Sequence, residues 1–286
     1  MAKKHYLQFI LFILFLAFGN TVALAEPLVW FQPDLPPYAI VKGPDKEFGI
    51  DNRIIQYVSE HLAINNSTFK TANYGRILEE LKRGTHGIIT PLFRTTAREK
   101  FVRYTSRPSY FVFSNGIIFN RADKNKYTPF ILKDGTIDLE AFCKSKKFRI
   151  GINSGRSYSG AIDEIIQRYN YGQTFMVRSS ADHLGVLKML KRKRVDAAFG
   201  FPVEIKYARL SQELIFYKVA NMPPLTPIYF GAPQNKFGYS MIRKLNELLE
   251  QTNATEIFAS YYTHWLDKEL IEEYFKLCRE HNPGEN

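Results

Sequence analysis

Two arginines four residues apart, Arg94 and Arg98, follow a short apolar run in the segment 87–106, GIITPLFRTTAREKFVRYTS. A guanidinium presents a planar fork of N–H donors that meets a carboxylate with two parallel bonds. Thr96 with Glu99 three residues later fits a helix-opening pattern that puts Arg98 in the first turn. Free backbone N–H groups and the positive helix end attract anions there as well. The spacing predicts an anion site of carboxylate size. Pro91 cannot donate to a ladder, so the strand Gly87–Thr90 is expected to turn at that point.

Other chemistries find little support. Gly155-Arg156-Ser157-Tyr158-Ser159 lacks the second glycine of a hydrolase nucleophile elbow. No GxxxxGK[ST] phosphate loop occurs, and Gly151 with Gly155 does not make a dinucleotide fingerprint. His61, His86, His183 and His264 show no paired metal spacing. No catalytic residue, cofactor or metal is expected. The sequence pI is about 9.4, but basic residues are interleaved with 28 acids along the chain, which favours anionic small molecules or surfaces over nucleic acid. The run Lys191-Arg192-Lys193-Arg194 reads as a helix C-terminus whose cations complement the dipole.

The elements that would position these residues alternate strand and amphipathic helix, the pattern of an α/β protein with mostly parallel sheets. A strand at Leu28–Phe31 is followed by a loop to Tyr38, then by a helix capped by Asp51 with Ile54, Ile55, Val58 and Leu62 on its apolar face. A strand near Thr68, a helix Tyr74–Arg83 and the strand at Gly87 complete a βαβαβ unit. The plan recurs with strands at Phe148–Ile152, Thr174–Val177 and Val195–Phe199 and helices between them. The apolar run Tyr110–Asn120 is read as a strand crossing between two lobes, and Tyr217–Pro227 as the return. The predicted lobes are 26–113 with 222–286, and 114–221. Ligands of open α/β sheets bind at the carboxyl ends of strands, here in the cleft between lobes.

Met1–Ala25 reads as a secretory leader: Lys3 and Lys4, the apolar run Leu7–Phe18, and Ala23-Leu24-Ala25 as the cleavage site. Its removal leaves 261 residues and lowers the formal net charge from +11 to +9. Glu26, not cysteine, follows, so a lipid tether is not expected. Cys143 and Cys278 either bridge, as an oxidising compartment permits, or remain two buried thiols.

Phe48-Gly49-Ile50-Asp51 opening the first helix, Leu78–Ile89, Arg98-Glu99-Lys100 with Tyr104-Thr105-Ser106, and Val195-Asp196-Ala197-Ala198-Phe199 share order and spacing with a known family. From Leu28 to Trp265 the chain resembles the family-3 extracellular solute-binding proteins, the periplasmic receptors of polar amino-acid uptake systems. The resemblance implies the type II periplasmic-binding-protein fold, two lobes on a two-strand hinge. It implies that Arg98 grips a ligand carboxylate, with Thr90 and Phe93 in the preceding turn, Phe31 and Tyr38 lining the pocket, and Arg156, Ser157 and Tyr158 contributed by the second lobe.

The family's acid for an α-ammonium falls here at Phe201, with Glu204 the nearest carboxylate, while Arg94 and Arg156 add cations. The expected ligand is therefore an acid without an ammonium group, or one with several carboxylates. The expected role is a monomeric periplasmic binding protein that delivers a small anionic solute to a membrane permease. A separate sensor partner is the alternative, and a dehydratase-like enzyme on the same fold a further one, with Glu204 or Asp34 as base.

Overall fold

In the computed structural model, residues 26–281 are described except 155, 159, 171–173 and 179–182. The leader and Gly155 thus lie outside the described residues. The first sheet is built around β1 (Leu28–Gln32), in which Trp30 and Phe31 are fully buried. Burial on both faces is what a central parallel strand requires. It pairs in parallel with β2 (Ser67–Thr71) and β3 (Gly87–Leu92), through the crossover helices α1 (Ile50–His61) and α2 (Tyr74–Lys82). Gly87 permits this packing, since a Cβ there would lie 2.3 Å from the Phe31 ring.

Next come the single turn α3 (Thr96–Glu99), β4 (Val102–Tyr104) and β5 (Tyr110–Phe113). The chain then enters a second sheet as β6 (Gly116–Asn120). The predicted continuous strand is thus broken at Ser114 and Asn115, where the chain passes from one sheet to the other. The second lobe runs through α4 (Lys124–Tyr127), α5 (Leu139–Lys144), β7 (Ile150–Asn153), α6 (Gly160–Tyr169), β8 (Phe175–Arg178), α7 (Gly185–Lys191), β9 (Ala197–Gly200), α8 (Pro202–Tyr207) and β10 (Leu214–Tyr217). The chain returns as β11 (Leu225–Pro233) and ends in α9 (Lys236–Gln251), α10 (Ala254–Thr263) and α11 (Lys268–His281).

Strand order is β2-β1-β3-β11-β4, with β5 also on β11, and β10-β6-β9-β7-β8. In each sheet three neighbouring strands are parallel, β2-β1-β3 and β9-β7-β8, but β11 and β6, the strands that carry the chain between lobes, run antiparallel to their neighbours, so the sheets are mixed. Contrary to the sequence reading, β3 runs on through Pro91 to Leu92. Its partner β11 shifts register between Tyr229 and Gly231, opposite this point, so the regular ladder that proline would interrupt is already broken there.

The lobes meet through α8. Phe201 and Val203 bury into the first lobe's core, Tyr207 packs on Trp265 at 5.3 Å, and Lys206 Nζ donates to the Leu266 carbonyl at 2.5 Å. Ser211 Oγ donates to Asp267 at 3.0 Å, and Lys218 pairs with Glu273 on α11. Cys143 and Cys278 are free thiols in separate cores, raised by burial to about 12 and about 11. Among the described residues no helix is long and apolar enough to cross a membrane.

Candidate functional site

Tyr38, in the loop after β1, meets Phe201, just after β9, across the lobe boundary, and the predicted site residues sort themselves around that contact. Arg98 sits on α3. Its backbone N–H meets the side chain of Thr95, one residue earlier than the predicted cap, and Glu99 pairs with Arg94 at 2.5 Å instead of reaching back. The helix is only four residues long, so the anion-attracting element is the guanidinium itself. Arg98 Nη1 donates to the Phe93 carbonyl at 3.0 Å, an oxygen that also accepts from Tyr104 at 3.2 Å. The carbonyl fixes one edge of the fork. Among the described residues no carboxylate pairs with Arg98.

Arg94 behaves differently. Its side chain is half-exposed and paired with Glu99, so it is already neutralised outside the cleft. Thr90 is fully buried and its hydroxyl donates to Asp51 Oδ1 at 3.4 Å. Tyr110 donates to the same oxygen at 3.1 Å, and Asp51 Oδ2 has no hydrogen-bond partner. Asp51 is not the helix cap, which is Gly49; it lies in the first turn of α1 with no exposed surface. Burial raises its carboxyl to about 7, partly offset by the bonds from Tyr110 and Thr90. Sequence reasoning missed this site. The signal was present, because residue 51 shares the helix stripe of Ile54, Ile55 and Val58.

From the second lobe, Arg156 enters the boundary with its side chain 11% exposed and pairs with Glu204 at 2.9 Å. Its guanidinium lies over the rings of Tyr158 and Phe201, at 5.2 and 5.3 Å. Burial alone would lower the Arg156 pKa, and the Glu204 carboxylate more than reverses this. Glu204 Oε2 also accepts from the Phe201 N–H at 2.9 Å. Gly200 makes room for that turn, since a Cβ there would stand 2.6 Å from the same oxygen. Pro202 opening a helix with Glu204 two residues later is the legible half of a capping box, and it could have placed this carboxylate.

Phe201 is buried and edge-on to Tyr38 across the boundary, with centroids 5.7 Å apart. The Tyr38 hydroxyl is held well above its ordinary pKa by burial, and Glu204, Arg156 and Asp51 all act on it. Tyr74 donates to the Pro91 carbonyl at 3.1 Å; burial raises its pKa, with Asp51, Arg98 and Arg156 acting on it. Asp51 and Arg156 thus act on both tyrosines, Glu204 on Tyr38 and Arg98 on Tyr74. Two predicted residues turn their hydroxyls away from these groups. Ser157 is exposed and its hydroxyl donates to Asp163 at 2.5 Å, while Tyr158 is buried in the second lobe's core, its hydroxyl accepting from Asn153 N at 2.7 Å.

The surplus positive charge expected from Arg94 and Arg156 is therefore cancelled inside the chain by Glu99 and Glu204. What the boundary offers, among the described residues, is one guanidinium without an acid partner, a carboxyl titrating near 7, and orphaned valences on Asp51 Oδ2 and Arg156 Nη1. Such buried groups cost about 1–3 kcal/mol each unless a partner arrives.

The sequence profile of the bacterial extracellular solute-binding proteins, family 3, matches residues 28–268. No curated protein matches the chain. Among solved structures, a histidine kinase sensor domain with similarity to periplasmic binding proteins superposes with a TM-score of 0.61 at 15% identity, covering 85% of this chain and 96% of its own. An ancestral arginine-binding protein bound to arginine gives 0.61 at 16%, covering 84% and 98%. An ancestral amino acid-binding protein described as a precursor of cyclohexadienyl dehydratase gives 0.63 at 15%, covering 84% and 95%. The chain belongs to the family-3 extracellular solute-binding proteins and has their type II periplasmic-binding-protein fold.

Proposed function

We propose that this family-3 solute-binding protein captures a small solute carrying one carboxylate and at least one hydrogen-bond donor between its lobes. In this reading it is exported to the periplasm, loses its leader after Ala25, and presents the closed form as a monomer to a membrane permease. The observation that carries the proposal is Arg98, oriented by the Phe93 carbonyl and without an acid partner among the described residues, beside buried carboxylates. The ligand carboxylate takes the fork of Arg98, with Thr90, Phe93, Tyr38 and Phe201 shaping the pocket. Its donor group turns to Asp51 or Glu204, which supplies the acid missing at Phe201. Arg156 and Arg94 serve as neutralised supports, and Ser157 and Tyr158 hold the loop that carries Arg156.

Closure is favoured because the ligand meets second-lobe groups only in the closed state. The test is calorimetric titration with a panel of amino acids and organic acids. Binding that disappears in Arg98→Ala supports the proposal; saturable binding that survives the substitution, or none across the panel, overturns it.

A sensor partner is the second reading, favoured by the likeness to a sensor domain of the same fold. Capture from solubilised membranes decides between a permease and a histidine kinase. Catalysis is not proposed; product formed from a cyclic hydroxy acid would favour an enzyme on this fold.

A further inference from the structure

After the leader, the net charge of the chain belongs to one lobe. Residues 114–221 hold 19 Lys/Arg against 10 Asp/Glu, whereas 26–113 with 222–286 hold 18 of each. Three segments account for most of the excess: 121–126 RADKNK, 144–149 KSKKFR and 191–196 KRKRVD contain eleven cations and two acids. They are far apart in sequence, and the fold gathers them.

The register of the second sheet sets Phe119 beside Ala197 and Ile150 beside Ala197, so β6 ends where β9 and β7 begin. The cleft lies at the other end of these strands, after Asn153 and Gly200. Direct contacts tie the segments together. Asp123 takes Lys126 at 2.9 Å and Lys193 at 3.9 Å, and Asp196 accepts from the Arg149 N–H at 2.9 Å and pairs with its side chain at 3.5 Å. Glu213, at the start of β10, takes Lys191 at 2.8 Å and is the third acid of this pole. Three acids against eleven cations leave a surplus of eight, and every one of those eleven side chains belongs to an exposed residue.

We propose that this basic pole of the second lobe is a docking surface for anionic phospholipid headgroups, holding the protein at a membrane face with its cleft turned away. The charges lie on three short connections at a sheet end, so they spread over a face and do not converge on one small ligand. The aromatics beside them, Tyr127 and Phe148, pack into the core and offer no stacking platform of the kind single-stranded nucleic acid uses. Lys and Arg held near an anionic bilayer each strengthen partitioning several-fold, and the attraction reaches only about a Debye length, which shortens as salt rises.

The test is co-sedimentation of the full mature chain with vesicles of phosphatidylcholine containing about 30% phosphatidylglycerol, at low and high salt. Binding is expected at low salt, lost at high salt, and absent with pure phosphatidylcholine. Two variants, Lys146→Glu with Lys147→Glu and Lys124→Glu with Arg192→Glu, reverse cations that form no ion pair among the described residues, and each lowers binding about ten-fold. Lys82→Glu with Lys100→Glu makes the same charge change on exposed positions of the neutral lobe and stays within about two-fold. Equal losses in pole and control variants, equal binding to neutral vesicles, or tighter retention on an oligonucleotide or an acidic polypeptide than on anionic vesicles would overturn the proposal. Unchanged melting temperatures show that the variants are folded.

Discussion

The first lobe holds equal numbers of acids and bases yet, among the described residues, leaves Arg98 without an acid partner. The second lobe is strongly basic outside, yet brings to the cleft an arginine already neutralised by Glu204. Both contain a βαβαβ unit with three parallel strands, so the backbone plan does not dictate where charge goes. What differs is desolvation. A cation at an exposed pole keeps its water, whereas Arg156 beneath Phe201 cannot, and a buried charge persists only with a partner.

The largest expected effect breaks that contrast from the second lobe. Glu204→Ala leaves Arg156 buried and uncompensated, and urea denaturation is expected to show a loss of about 3–5 kcal/mol. In the first lobe Arg98→Ala strikes binding instead. It is expected to cost about 2–5 kcal/mol of ligand affinity by calorimetry, with melting temperature nearly unchanged, because the side chain is only partly buried.

Asp51 sharpens the comparison through pH. Its folded carboxyl titrates near 7 and an unfolded aspartate near 4, so folding favours the proton. Stability from this group is complete below about pH 4 and declines as pH rises to 7, by about 1 kcal/mol per unit. Asp51→Asn is expected to flatten this window in denaturation curves recorded across it; an unchanged slope contradicts the assignment. The smallest effect is at the exposed first-lobe pair, where Arg94→Ala should change stability by less than about 1 kcal/mol.

Much of this was legible in the sequence. Apolar periodicity located the parallel strands and their helices, and the sequence pattern around Thr96 and Glu99 placed Arg98 in the first turn of a short helix. Tertiary desolvation was not legible. Asp51 looks like an ordinary first-turn acid until its helix face is packed, and Arg156 looks like added positive charge until Glu204 folds back beneath Phe201. The run Lys191–Arg194 complements a helix dipole on its own, and becomes a pole only when sheet register sets two other segments beside it. β10, four residues long, is too short to carry a period and was absorbed into the return connection.

The α8 contacts have a consequence for time. Tyr207 on Trp265 and Lys206 on the Leu266 carbonyl, with Ser211 just beyond the helix on Asp267, tie the second lobe to the first. Any opening that displaces α8 must release them together. Under the proposed solute-binding function, the time a solute stays is set by this latch as well as by the solute's own contacts, so even a weakly held molecule leaves slowly.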